Sequence, residues 1–336
     1  MKNAILTAAL TLGVCSHVLA QSETFQPSPC ELIPLPGQEV SFLIDGVEKL
    51  RWHAAESVPR PFFFPFNGPS GVPLTRMGHP GAPNHDHHRS IWFAHHDVNG
   101  LDFWADGKGT TIRQKEWLTY EDGNDEAIMA VRLGWFNPDG GEVMEQVMIA
   151  ALRPLDFGEH ELEIQTTFRV PDGRETVELG KTNFGFLAVR VAKTISHHFG
   201  GGNLTNSEGK VGEESIFGKP AKWMDYSGPV LVGKGSDRLP FSQGITFFDH
   251  PDNPRYPTPW HVRSDGWMGA AFCLNEGLTL TTESPLTLRY LLHAHAGACD
   301  AEQADIQADA FSRRKGFELR KSERPHRHWE VVREVQ

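Results

Sequence analysis

Cysteine is scarce in this sequence: the 336-residue chain contains four. No two of them are separated by two residues, which excludes a CxxC redox motif or a cysteine-based zinc site. Cys30 and Cys299 could form a disulfide in an oxidising compartment. Cys273 lies in an apolar run, so we expect it to be buried and unreactive.

Basic residues are also few relative to acidic residues. The chain has 32 Lys and Arg residues against 43 Asp and Glu residues, for a net charge of −11. An acidic chain of this kind is not expected to bind nucleic acid through the phosphate backbone. After residue 20, no apolar segment is long enough to cross a membrane.

The first twenty residues differ from the rest. Lys2 precedes an apolar run over residues 4–14, and the small residues Val18 and Ala20 stand before Gln21. This order is typical of a secretory signal peptide that is cleaved after Ala20. We therefore predict a signal peptide over residues 1–20, a single domain over residues 21–336, and a periplasmic or secreted mature protein without a membrane span.

Several catalytic signatures are missing as well. The sequence has no GxSxG elbow, no Walker loop, no Rossmann glycine pattern and no HExxH helix. These absences argue against a serine esterase, a P-loop nucleotidase, a dinucleotide-dependent enzyme and a zincin-type protease.

What the chain does contain is a succession of short segments rich in β-branched and aromatic residues, separated by Gly, Pro, Asp and Asn. Such segments predict strands. They are Val40–Ile44, Ile91–His95, Ala127–Trp135, Val143–Ala150, His160–Val170, Phe184–Val191, Gly244–Phe248, Trp267–Phe272, Leu278–Thr282 and Leu286–Leu292.

One segment, Asp300–Lys315, predicts a helix, with acidic residues early, basic residues late and Gly316 as the C-cap. Strands do not alternate with long helices, which disfavours a parallel α/β fold. We predict an all-β protein, a large antiparallel β-sandwich with one short C-terminal helix.

Histidines are concentrated in the segment Gly78–Trp104. Six of the 17 histidines fall within 18 residues of it. They are His79, His85, His87, His88, His95 and His96. Because imidazole can act as acid, base, metal ligand or hydrogen-bond donor, three interpretations stay open. The cluster could form a polar sugar-binding or acid–base site, hold one divalent metal ion through His85, His87 and another histidine, or serve packing and loop capping.

Two further segments carry side chains suited to sugar binding. Three consecutive glycines, Gly200–Gly202, precede Asn206 and Glu208, which offer an amide and a carboxylate base. The alternative is a solvated loop. The segment Phe217–Tyr226 contains an aromatic ring that could stack on a sugar and polar groups that could bind hydroxyls, or else forms an aromatic-anchored hairpin. The residues concerned are Lys219, Trp223 and Asp225.

Two more segments complete the candidate set. Four prolines between Pro251 and Pro259 stiffen a loop, and a rigid loop loses less entropy on binding a ligand. Its candidate binding residues are His250, Arg255, Trp260 and His261. On the last predicted strand, His293 and His295 share one face and could close a pocket formed by the histidine cluster.

Several of these segments resemble a bacterial family labelled "methane oxygenase PmoA-like", a domain of unknown function. The resemblance extends from Arg51 to Trp329. It is carried by Arg60–Pro65, Asp86–His95, Asp97–Trp104, Leu204–Gly209, Phe217–Pro220, Trp223–Gly228, Asp249–Tyr256 and Leu288–His295. The methane monooxygenase subunit of that name is an integral membrane protein. Because the present sequence has no membrane-spanning segment after residue 20, methane oxidation is not expected.

The family's strand pattern is similar to that of galactose mutarotase-like supersandwich proteins. That resemblance implies proton transfer on a sugar, with His88 or His96 as acid and Glu208 as base, and with Arg89 and Asn99 as binding residues. His85, His87 and Asn206 are further candidates for substrate binding.

We therefore predict an exported carbohydrate-active enzyme, a hydrolase, lyase or epimerase acting on a glycoside or modified sugar by acid–base catalysis. One alternative is a non-catalytic sugar-binding protein. The other is a metal-dependent lyase or oxidoreductase that uses the histidine cluster.

Overall fold

The computed structural model describes residues 27–79, 81–82 and 85–334. In chain order the strands are β1 (Cys30–Leu35), β2 (Glu39–Ile44), β3 (Val47–His53), β4 (Phe62–Phe66), β5 (Ile91–His95), β6 (Thr111–Glu121), β7 (Ala127–Phe136), β8 (Glu142–Pro154), β9 (His160–Arg169), β10 (Thr176–Leu179), β11 (Gly185–Arg190), β12 (Asn203–Asn206), β13 (Trp223–Val232), β14 (Leu239–Asp249), β15 (Trp260–Arg263), β16 (Trp267–Ala270), β17 (Leu278–Thr281), β18 (Leu286–Ala296), β19 (Phe317–Lys321) and β20 (Trp329–Arg333). The helices are α1 (His197–Gly200), α2 (Glu213–Ile216) and α3 (Ala301–Arg313).

Two eight-stranded antiparallel sheets dominate the structure. The first sheet has the order β1-β2-β3-β4-β5-β11-β16-β15, and the second has the order β12-β13-β14-β18-β9-β8-β7-β6. Two-stranded pairs are formed by β10 with β17 and by β19 with β20. Each segment predicted as a strand falls on an observed strand, and the prediction of an all-β antiparallel sandwich is confirmed.

The main core lies between the two sheets and follows from alternation along the strands. In β5, Ile91 and Phe93 join this core, whereas Trp92 and Ala94 belong to a separate cluster on the opposite face. Because successive side chains of a strand point to opposite faces, a strand of apolar residues can supply both clusters. Burial of these side chains is the main favourable contribution to folding.

The outer face of the second sheet, which we call the covered face, carries two additional layers. Helix α3 packs Ala304 and Phe311 against Trp223, Phe248 and Leu291 of the sheet. The β19–β20 hairpin covers a second apolar group that includes Leu118, Ala130, Val147, Phe317 and Val331.

The outer face of the first sheet, which we call the cleft face, is bordered by the loops that precede and follow β5. Trp92 of β5, Ala188 of β11 and Trp267 of β16 form a cluster there with Trp104, which comes from the loop after β5. This aromatic surface forms the base of the candidate site described below.

The predicted C-terminal helix is confirmed, although its predicted end is not. The side chain of Asp300 caps α3 by accepting hydrogen bonds from the backbone N–H groups of Glu302 and Gln303, both at 3.1 Å. Gly316 is not the C-cap: the helix ends at Arg313, and the C-cap is Arg314, whose backbone is extended. Gly316 is needed for close packing instead, because a Cβ there would lie 2.9 Å from Oε1 of Gln165.

The Cys30–Cys299 disulfide that the sequence left open is not formed in the structure. Cys30, Cys273 and Cys299 are all free thiols. Cys30 begins β1 and its backbone pairs with Gly123, whereas Cys299 precedes α3 on the covered face. Burial raises the pKa of the Cys273 thiol to about 12, in line with the expectation that it is unreactive.

Within the described ranges, no helix is long and apolar enough to span a membrane. The predicted signal peptide lies outside the described residues.

Candidate functional site

A cleft of about 410 Å³ opens on the cleft face. It is built over β11, β15 and β16, with walls from the loops that precede and follow β5. Its lining residues are His85, His87, His88, His96, Asp102, Trp104, Ala105, Lys108, Phe184, Arg190, His261, Arg263, Asp265 and Trp267.

Aromatic rings form the floor of this cleft. The ring of Trp104 lies 5.2 Å from that of Trp267, nearly perpendicular to it, and 5.3 Å from that of Phe184. His88 is stacked on Trp267 at 5.0 Å and on Trp92 at 5.5 Å, with interplanar angles of 30° and 29°. Such contacts fix the rings relative to one another, so the floor is preorganised.

His88 is held as a neutral imidazole. Its side chain is buried, and Nδ1 has no hydrogen-bond partner. Burial lowers the pKa of His88 far below its ordinary value, and the neighbouring Arg190 lowers it further. A neutral ring of this kind suits packing and hydrogen bonding better than proton donation.

An ion pair between the buried Arg190 and the half-buried Asp265 anchors one side of the floor. Arg190 ends β11 and donates two hydrogen bonds to Asp265, of 2.7 and 3.1 Å. His79 lies 2.9 Å from Oδ2 of the same carboxylate. Burial alone would raise the pKa of Asp265, but the hydrogen bonds and charge of Arg190 lower it, so Asp265 is ionised.

His261 of β15 presents a nitrogen without a proton to the cleft. Its Nδ1 lies 2.8 Å from the carbonyl oxygen of Asn183, which can only accept, so Nδ1 carries the proton. Burial, followed by the charge of Arg263, lowers the pKa of His261 to about 4. At neutral pH the ring is therefore uncharged, with the lone pair on Nε2.

His96 is the more exposed histidine of the cleft, with 52% of its side chain accessible. Its Nδ1 lies 3.4 Å from Oδ1 of Asp102. That carboxylate oxygen also accepts hydrogen bonds from the backbone N–H groups of Trp104 (2.7 Å) and Ala105 (3.0 Å). Asp102 is thus fixed in place, and it orients the His96 ring.

The loop that carries His85 and His87 is tied down by arginines. The carbonyl oxygen of His87 accepts hydrogen bonds from Arg60 (3.3 Å) and Arg89 (3.2 Å). Both arginines also pair with Asp106, at 3.0 and 2.6 Å. Arg89, predicted to bind substrate, therefore supports the loop from behind.

The rings of the histidine cluster lie close together without forming an evident metal site. His87 and His88 are 4.4 Å apart between ring centroids, His85 and His88 are 5.2 Å apart, and His85 and His87 are 5.8 Å apart. In the described part of the chain, no group of three or more His, Cys, Asp or Glu side chains is arranged to hold a metal ion. A divalent metal ion bound by the histidine cluster therefore stays a hypothesis that is based on the sequence.

The model of a family described as a family of unknown function (DUF6807) matches residues 39–309 of the chain. The chain belongs to this family. The domain of unknown function suggested by the sequence is thereby confirmed, whereas the label PmoA-like stays a prediction.

Among solved structures, the chain is similar to a polysaccharide lyase at 11% sequence identity and a TM-score of 0.30. The match covers 85% of this chain and 35% of that protein, so the chain spans about a third of its length. Likeness at this level carries no argument about activity. No curated protein matches the chain.

Five of the predicted site residues come together in the cleft: His85, His87, His88, His96 and His261. The other candidates do not line it. Five of them lie on the second sheet or beneath α3: Trp223, Asp225, His250, His293 and His295.

The prediction that His293 and His295 close the histidine pocket is wrong. Both lie on β18 of the second sheet, where they share the covered face. His293 pairs with Glu159 at 2.9 Å, and His295 pairs with the fully buried Asp225 at 2.8 Å. Trp223 donates to Asp305 of α3 at 2.9 Å, so its indole anchors the helix.

Glu208, predicted as the catalytic base, does not reach the cleft. It is exposed on the turn after β12, at the edge of the second sheet, and contacts Ser207. Asn206 accepts hydrogen bonds from the backbone N–H groups of Glu208 and Lys210, which closes that turn. The position of Glu208 in the sequence does not show that its turn belongs to the second sheet, whereas the cleft lies on the first.

The remaining candidates hold loops or fill the core. Trp260 is buried and donates to the carbonyl of Ala221 at 2.9 Å. Arg255 donates to backbone carbonyls of residues 272, 276 and 277, and Asn99 accepts from the N–H of Glu178. Lys219 is exposed on the loop after α2 and does not line the cleft.

Sequence reasoning missed most of the charged and aromatic residues that complete the cleft. They are Asp102, Trp104, Lys108, Phe184, Arg190, Arg263, Asp265 and Trp267. One usable signal was present. Arg190 ends the apolar run Phe186–Val189, and a charge within such a strand needs a buried partner.

Proposed function

We propose that this protein is an exported carbohydrate-active enzyme, which transfers protons on a glycoside or modified sugar through histidines of the cleft. The observation that carries the proposal is the pairing of two unlike histidines in one aromatic-floored cleft. His96 is oriented by a carboxylate, and His261 offers an unprotonated Nε2. Export rests on the N-terminal sequence.

The floor of the cleft supports a sugar as the ligand. The flat rings of Trp104, Trp267 and Phe184 suit packing against the C–H face of a pyranose, and the surrounding polar groups suit its hydroxyls. A volume of about 410 Å³ falls within the usual range for small-molecule sites.

The two histidines support acid–base chemistry. The exposed ring of His96 lies 3.4 Å from Asp102, so it can reach a bound ligand and exchange a proton with it. His261 needs no prior deprotonation at neutral pH, because burial holds it uncharged. Both rings contact Phe184, with centroid distances of 6.0 Å for His96 and 5.1 Å for His261. A ligand over Phe184 would therefore lie close to both.

The test is turnover and binding on a panel of glycosides and oligosaccharides, comparing wild type with His96→Gln and His261→Gln. Each substitution should lower kcat by about 10²–10⁴-fold, the usual contribution of a general acid or base. Ligand affinity should change much less. His328→Gln, at an exposed position between β19 and β20, is the control and should behave as wild type.

Two results would contradict the proposal. Binding without turnover by wild type on every ligand would favour a non-catalytic sugar-binding protein. A stoichiometric transition metal in the untagged protein, with activity lost to chelator, would favour the metal-dependent alternative.

A further inference from the structure

The charges around the cleft differ in balance from those of the whole chain. The protein as a whole is acidic, with a net charge of −11. The cleft is lined by three basic side chains, Lys108, Arg190 and Arg263, against two carboxylates, Asp102 and Asp265. The site therefore gathers positive charge within a negative protein.

Two of those three cations are already paired. Arg190 is matched by Asp265, as described above, and Arg263 pairs with Glu213 at 2.9 Å. Lys108 has no carboxylate partner among the described residues. It lies on the turn after Trp104 between Gly107 and Gly109, both at φ +76°, a conformation that favours glycine. Lys108 is exposed on that turn and lines the cleft.

A second layer of positive charge lies directly behind the lining. Arg60, Arg76 and Arg89 donate hydrogen bonds to carbonyl oxygens of the cleft-lining residues His87, Ala105 and Asp265. In the described part of the chain, Asp106 is the carboxylate that pairs with these arginines, and it is shared by Arg60 and Arg89. Among the described residues, the hydrogen bonds of Arg76 all go to backbone carbonyls, and its guanidinium lies over the ring of Phe199.

Both carboxylates that line the cleft already accept hydrogen bonds from the protein. Both oxygens of Asp265 accept from Arg190, and one of them also contacts His79. Oδ1 of Asp102 accepts from two backbone N–H groups. Nε2 of His261 stays open as an acceptor for a sugar hydroxyl. The oxygens of an anionic group only accept, and they would meet the Lys108 ammonium, which has no carboxylate partner among the described residues.

We propose that the sugar bound in this cleft is acidic, with its anionic oxygens placed against Lys108. This inference rests on the proposed function and narrows its substrate class. The anionic group can be the carboxylate of a uronic acid or a sulfate ester, since both present acceptor-only oxygens to the same donor.

The experiment measures binding by calorimetry to three matched sets of ligands, from methyl glycosides to tetrasaccharides: neutral hexosides, hexuronides and sulfated hexosides. At low salt, one acidic set should bind about tenfold or more tightly than its neutral counterpart, the usual scale for a charge-assisted hydrogen bond. This preference should fall as ionic strength rises, because the ammonium is near solvent.

Variants at Lys108 decide whether this residue causes the preference. Lys108→Ala should abolish most of it, and Lys108→Arg should keep it. Lys234→Ala, exposed on the β13–β14 hairpin, removes the same charge elsewhere and should leave it unchanged. Because Lys108 is exposed, its substitution should not affect folding, which thermal unfolding of each variant checks.

The outcomes separate this inference from the proposed function. Neutral sugars that bind and turn over as well as acidic ones would overturn the acidic substrate and leave the enzyme proposal standing. An acidic preference that survives in Lys108→Ala would overturn the role of Lys108. Failure of all three sets to bind would count against both proposals.

Discussion

Both outer faces of the sandwich bury histidines, but the pKa values of His88 and His261 on the cleft face and of His295 on the covered face are shifted in opposite directions. On the cleft face, burial lowers the pKa of His88 and His261, and neither ring contacts a carboxylate closely enough to reverse the effect. On the covered face, burial alone would lower the pKa of His295, but Asp225 at 2.8 Å raises it. At all three positions burial favours the neutral ring, and the Asp225 carboxylate reverses the direction of the pKa shift at His295.

This difference in pKa shift fits the structural role of His295 on the covered face and the proposed ligand binding on the cleft face. Asp225 lies on β13 and His295 on β18, and β14 runs between these two strands. Thr246 of β14 also donates a hydrogen bond to the Asp225 carboxylate, at 2.8 Å. The pair is thus part of a hydrogen-bonded network that centres on Oδ2 of Asp225. On the cleft face the neutral rings keep their remaining nitrogen atoms for a ligand.

The largest expected effect comes from removing one partner of the covered pair. His295→Phe should leave the buried Asp225 carboxylate without its partner and lower the free energy of unfolding by about 3–5 kcal/mol. His88→Phe keeps the stack between Trp92 and Trp267 and removes no ion pair, so it should cost about 1 kcal/mol or less. Urea unfolding of the two variants beside wild type measures both values.

Equal losses in the two variants would show that His88 also has a charged partner, and the contrast between the faces would fail. His295→Phe combined with Asp225→Leu provides the matched control. It removes both charges and should recover part of the lost stability, because no unpaired charge is left behind.

The next effect concerns pH. His261 has a pKa of about 4 in the folded chain, against about 6.5 when unfolded, so the unfolded state binds more protons between these values. Its contribution to stability is complete above about pH 6.5 and is lost as the pH falls towards 4, by about 3 kcal/mol in total. His295 has the opposite sign: its contribution is complete below about pH 6.5 and is lost as the pH rises through its raised pKa.

Urea unfolding at half-unit steps from pH 4 to pH 8 measures both slopes. His261→Gln should flatten the acid limb relative to wild type, since glutamine can still donate to the carbonyl of Asn183 and does not titrate. His295→Phe should leave the acid slope from His261 in place. An unchanged acid limb in His261→Gln would mean that other buried histidines, such as His95 and His160, account for it.

The fold could be predicted from the sequence because its signals are local. Alternation in His160–Arg169, turn residues between strands, and the acid-to-base order of α3 each act within a dozen residues. The end of α3 could not be placed, because Gly316 is required by packing against Gln165, a residue of β9. Likewise, nothing local shows that Cys30 and Cys299 lie on different layers.

The site, too, could be predicted only where its residues are close together in the sequence. The histidine-rich loop was evident, and His85, His87, His88 and His96 all line the cleft. His261 was also found, on a separate loop argument. Whether the other candidates line the cleft depends on which sheet their strand joins. Strands β14 and β18 join the second sheet, whereas β15 and β16 join the first. That choice is made by long-range pairing, which residue spacing does not encode.

The smallest expected effect is at Glu208, the carboxylate that the sequence favoured as a base. It is exposed on the turn after β12, so Glu208→Gln should change stability by less than about 0.5 kcal/mol and leave turnover as in wild type. Asp102→Asn is the matched amide substitution within the cleft. It removes the charge that orients His96 and should lower turnover well beyond the effect of Glu208→Gln. A loss at Glu208 as large as that at Asp102 would mean that the acid–base machinery extends to the second sheet. Equal kinetics for Glu208→Gln and wild type would confine it to the cleft face.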